Sequence, residues 1–188
     1  QRPHATDPGR QLHAAAARYD DALTVAAETV ATLDQIATLE RRVEAVLPGL
    51  TAAKDWTTLR THLLILAADG REPIGALLGA YQERPLRDAH DPAAVLTWRL
   101  DGTLTGGPLP WLNRIPQQLA AHPHWGPYLT RRARLVASLA EQVTDAARAS
   151  TGRPAWLTGS LAEPTPGTLA DIAVWRAAHG IDDADLRP

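Results

Sequence analysis

The side chains that could do chemistry in this sequence are few and scattered. His122-Pro123-His124 has the spacing of a metal-binding dyad. Zinc needs three or four ligands in a tetrahedral array. No carboxylate or third histidine lies nearby in sequence, so His90 and His179 would have to converge on the pair. The segment reads as an exposed turn whose backbone Pro123 fixes, with no metal and no other cofactor. Asp182, Asp183 and Asp185 could hold a cation, but no glutamate follows them at calcium-loop spacing. They read as a solvated acidic tail. Ser138, Ser150 and Ser160 lie outside any G-x-S-x-G elbow, the strained turn that presents a nucleophilic serine. Residues 102–107 are glycine-rich, but Pro108 follows them and the one lysine of the chain is Lys54. A phosphate loop needs a Lys directly after its glycines, so that ammonium and backbone N–H groups meet the phosphates together. Nucleotide binding by this loop is rejected. With no cysteine, thiolate ligands, disulfides and a cysteine nucleophile are excluded.

One constellation has a coherent chemistry. Arg131, Arg132 and Arg134 near the start of a helical stretch could meet phosphates, and Trp111 and Trp125 flank the same region. Aromatic side chains beside a basic groove stack on bases in single-strand binders. The competing reading is a solvated helix face whose arginines oppose the positive end of the helix dipole.

The elements that would position these residues are helices. Leu12, Ala16, Tyr19, Leu23, Ala26, Val30 and Leu33 alternate at spacings of four and three, a heptad-like seam. With Asp7-Pro8 as a start signal and Pro48-Gly49 as a stop, one long helix is expected over Gln11–Leu47. After Leu33 the seam slips phase, through Ile36, Leu39, Val43 and Val46. A second helix is expected around Trp56–Ala68, apolar on nearly every side and so the centre of the core. Glu72-Pro73 and Asp91-Pro92 open a third and a fourth. Residues 101–112 read as loop, Pro116–Ala121 as a short helix, and 122–127 as a rigid turn. A second long helix is expected over Tyr128–Ser150, antiparallel to the first, with Leu23, Val30 and Leu33 facing Leu135, Leu139 and Val143. Thr165-Pro166 caps the last helix. No run alternates with β-branched enrichment. The fold class is all-α: a helical domain with two long helices and several short ones. Residues 1–49 form the long N-terminal helix, readable also as a coiled-coil arm, and 50–188 the helical C-terminal domain.

Composition sets the remaining bounds. The 188 residues carry a net charge of −2, which gives no general pull towards nucleic acid. No apolar run reaches transmembrane length and no signal-peptide core is present, so a cytoplasmic location is expected. The absence of Met predicts a fragment or a processed product.

Several stretches resemble a known family. They are Trp56–Gly70, Asp91–Leu100, Gly107–Trp111, Trp125–Leu129 and Val174–Gly180. In this order they resemble the C-terminal region of actinobacterial MobF-type conjugative relaxase-helicases, over about residues 50–188. The resemblance implies a large plasmid-transfer protein with an N-terminal relaxase, which nicks DNA through a tyrosine beside a histidine-bound metal, and a helicase. This chain has no Walker motif. No three-histidine cluster accompanies Tyr19, Tyr81 or Tyr128. No catalytic residue carries over, and the chain is expected not to be an enzyme. The expected function is a non-catalytic interaction module that contacts proteins of the transfer machinery or upstream domains of the same protein, with no membrane partner. The alternative is a single-stranded nucleic-acid-binding helical domain using Arg131, Arg132, Arg134, Trp111 and Trp125. An unrecognised hydrolase built on His122, His124 or Asp182–Asp185 is the third class.

Overall fold

The computed structural model describes residues 7–86, 89–150, 154–157, 165–182 and 185. Their order is α1 (Pro8–Val30), α2 (Leu33–Val46), a 3₁₀ turn (Leu50–Ala52), α3 (Trp56–Ala68), α4 (Pro73–Glu83), α5 (Pro92–Leu100), α6 (Gln117–Ala121), α7 (Trp125–Ala149), a second 3₁₀ turn (Ala155–Leu157) and α8 (Pro166–Ala178). Among the described residues there is no strand, and the fold is all-α.

The expected single helix over Gln11–Leu47 is two helices. Thr32 sits in extended backbone (ψ 156°) and closes a reciprocal cap. Its hydroxyl accepts from the Gln35 N–H (3.2 Å), and the Gln35 side chain accepts from the Thr32 N–H (2.8 Å). That capping box satisfies donors that a new helix start would leave orphaned. Leu33, expected in the buried stripe, is 87% exposed. Leu135 is exposed as well. The phase slip after Leu33 is therefore the helix break itself.

Prolines and carboxylates start most of the other helices. Glu72 accepts from the Gly75 N–H (2.5 Å), and Asp91 from those of Ala93 and Ala94, each ahead of a proline that has no N–H to lose. Gly49, Gly70, Gly102 and Gly180 take positive φ just past helix ends, the left-handed position that favours glycine. α7 begins three residues earlier than expected, at Trp125. Pro127 is tolerated in its first turn because those N–H groups have no intrahelical acceptor.

The chain divides into two compact units, residues 20–131 and residues 1–19 with 132–188, the boundaries falling inside α1 and α7. In the unit of residues 20–131, α3 lies against α4, α5 and α6. Leu59, Leu63, Leu64, Ile65 and Leu66 are buried, as expected for a helix apolar all round. Arg60 pairs with Glu40 of α2 (3.2 Å) and Glu28 of α1 (3.9 Å), and Thr61 donates to Glu28 (2.6 Å). These contacts tie the last turn of α1 and the middle of α2 to α3 across the break. In the other unit, α8 packs on the N-terminal turns of α1. His13 Nδ1 donates to the Ala178 carbonyl (2.8 Å), and Gly180 lies so close to the His13 ring that a Cβ there would press on it.

Candidate functional site

Arg131 and Arg134 are exposed on α7, and Arg132 is half-buried. At 100° per residue, Trp125 shares a helix face with Arg132, whereas Arg131 and Arg134 lie on others. Trp125 makes edge contacts with His124 and Tyr128 (ring centroids 5.5 and 5.9 Å) and is half-buried. Trp111 is half-buried in the loop after α5.

The other predicted chemistries resolve into structural roles. His122 Nδ1 accepts from the backbone N–H groups of His124 and Trp125 (3.2 Å each), a role open only to an unprotonated ring nitrogen. The histidine thus caps the start of α7. Among the described residues, no group of three or more His, Asp or Glu is placed to hold a metal ion. Ser160 and Asp183 lie outside the described residues. Asp182 is exposed, as expected of a solvated residue, while the main-chain carbonyls of Asp182 and Asp185 accept from the buried Arg176 guanidinium (2.9 and 2.5 Å), which also lies over the Trp156 ring at 5.1 Å. Arg176 and His13 border a cleft of about 980 Å³ within the unit of residues 1–19 and 132–188. His13 Nδ1 and Arg176 Nη2 are engaged with backbone carbonyls there.

Residues 101–116 form an ordered loop with Leu104 and Leu109 buried. Its far end is held by Asp69, at the C-terminus of α3. The Asp69 carboxylate accepts from Arg114 (2.6 Å) and from the Gln117 N–H (3.3 Å), and its side chain is only 2% exposed. Its near end is held by His62. The His62 ring lies between the Asp101 carboxylate on Nε2 (2.9 Å) and the Thr58 carbonyl on Nδ1 (3.0 Å). Burial disfavours the charged ring, but Asp101, the Thr58 carbonyl and the charge of Asp20 outweigh it, so the His62 pKa is raised. Asp20 is also raised, by desolvation first; the attraction of His62 opposes this, and the charges of Asp101 and Asp21 add to it. The histidine–aspartate contact was not legible in sequence, because His62 and Asp101 are far apart in the chain and share no motif.

A different surface stands out for what it leaves exposed. Arg99 of α5 donates to the carbonyls of Ala80 (2.7 Å) and Arg84 (3.0 Å), tying α5 to the end of α4. The neighbours of these anchors point outward: Trp98 is 74% exposed and Tyr81 42%. A large aromatic held out on a clamped helix is the kind of residue that anchors protein interfaces. Composition alone hid this, since Trp98 falls in an apolar helical stretch and reads as core.

No family model, curated protein or solved structure matches the chain.

Proposed function

We propose that the chain is a non-catalytic protein-interaction module of a conjugative relaxase, acting in the cytoplasm and recruiting a protein of the transfer machinery. The observation that carries the reading is Trp98, exposed on α5 while Arg99 beside it fixes the helix to α4. The resemblance of residues 50–188 to the C-terminal region of such relaxases supplies the class of partner. The polar clusters favour the same reading, because His122, Asp69 and Arg176 serve caps and anchors. The test is a titration of the chain against purified coupling protein, relaxosome proteins and the upstream relaxase-helicase domains. Saturable binding to one of them is expected, weakened about 30-fold by Trp98→Ala, the loss typical of an interface hot spot. No saturable binding, or binding indifferent to Trp98→Ala and Tyr81→Ala, overturns the proposal.

A second reading is favoured by the exposure of Arg131 and Arg134, about one turn apart on α7. Single-stranded DNA binding through them would weaken steeply with salt. A flat salt response, or unchanged binding by the Arg131→Ala, Arg134→Ala double variant, removes it.

A further inference from the structure

We propose that His62 is a proton-dependent anchor for the loop of residues 101–116, closed when its ring carries both protons and loosened when it loses one. The loop has two ties to α3, about two turns apart and therefore on one side of the helix. Asp69 holds Arg114 and the Gln117 N–H at the far end. His62 holds Asp101 at the near end.

The two ties differ in kind. An arginine stays charged throughout the accessible pH range. A histidine changes charge near neutrality. Both ring nitrogens of His62 face acceptors, a carboxylate on Nε2 and a carbonyl on Nδ1. Only the doubly protonated ring can donate to both. A neutral ring has one N–H, so one of the two contacts then sets a lone pair against an acceptor. The charged groups facing the ring from the packed elements are Asp101, just past α5, and Asp20, on α1; both favour the imidazolium, and Asp21 acts on Asp20. Thr58, on α3 itself, contributes only its carbonyl.

The consequence is asymmetric. Below the titration of His62 the loop is held at both ends. Above it, the near end loses the Asp101 tie and keeps the buried Leu104, the bond from Thr103 N–H to the Leu100 carbonyl (3.2 Å) and the cross-loop bonds from Arg114 N–H to the Leu104 carbonyl (3.0 Å) and from Leu104 N–H to Asn113 Oδ1 (3.4 Å), while the Asp69–Arg114 end is unchanged.

The experiment uses the full chain and reads two things. A proton NMR titration follows the His62 ring. Amide hydrogen exchange, corrected for the intrinsic pH dependence, compares residues 102–105 with residues 112–116 at about pH 5.5 and about pH 8.5. His62 is expected to titrate above the ordinary histidine value, and Asp101→Asn to lower it. The near-end protection, relative to the far end, is expected to fall about three- to tenfold at the higher pH, the scale of one partly exposed charge-assisted hydrogen bond. His62→Gln is expected to remove that pH dependence. A His62 that titrates at or below the ordinary value, a protection ratio equal at the two pH values, or a ratio that changes equally in His62→Gln overturns the proposal.

Discussion

At the scale of single residues, burial decides which charges matter. Asp69 is a nearly inaccessible carboxylate whose oxygens are taken up by Arg114 and the Gln117 N–H. Removing one partner of such a pair leaves the other charge desolvated and unanswered. Arg114→Ala leaves the Asp69 carboxylate with only the Gln117 N–H and the more distant Arg71 guanidinium (3.7 Å), and is therefore expected to destabilise the chain by about 3 kcal/mol, measured as a shift in the denaturant midpoint. A loss within the range of ordinary surface substitutions would contradict the pairing. Asp20 carries the opposite sign. The fold raises its pKa, so the ionised form is disfavoured in the native state. That cost is absent in acid, appears as pH rises through the folded value, and persists at neutrality. Asp20→Asn is expected to be at least as stable as the parent at neutral pH and to lose that advantage in acid; thermal melts at the two pH values check the sign. His62 is the mirror case. Its raised value means stability present below the ordinary histidine pKa and lost as pH rises through the folded one.

At the scale of elements, much of the fold was legible because helix punctuation is local. Asp7-Pro8, Glu72-Pro73, Asp91-Pro92 and Thr165-Pro166 mark starts that the structure bears out. The apolar run of α3 announced the centre of a core. The break between α1 and α2 was also written in the sequence, as Thr32-Leu33-Asp34-Gln35, an S/T-x-x-Q capping box. A continuous heptad pattern masked it, since a seam that slips phase resembles a supercoil adjustment until a cap is recognised. Thr32→Ala is expected to cost about 1 kcal/mol, the usual worth of an N-cap side chain, with helix content lost around residues 32–35. An unchanged melting temperature would argue against the cap. The loop over residues 101–112 was legible from its composition, but what holds it was not, because those contacts span long stretches of sequence and one is a close backbone approach. A Cβ at Gly107 would overlap the Leu112 carbonyl oxygen, so Gly107→Ala should displace the loop and change Trp111 fluorescence.

At the scale of the whole molecule, the all-α architecture places many of its polar and charged side chains in caps and interhelical ties, and leaves Tyr81 of α4 and Trp98 of α5 exposed. The sequence could not separate Trp98 from the core residues around it, because exposure depends on which face of α5 meets α3 and α4. The most direct test of the interaction reading exploits the six tryptophans, each with one indole N–H to report on its surroundings. Unlabelled coupling protein or upstream relaxase-helicase domain is added to the ¹⁵N-labelled chain, and the indole signals are followed to saturation. The Trp98 signal is expected to shift or broaden while that of buried Trp56 stays in place. Saturation with the partner that leaves Trp98 unmoved, or no response from any indole to any of these proteins, would contradict the interaction reading.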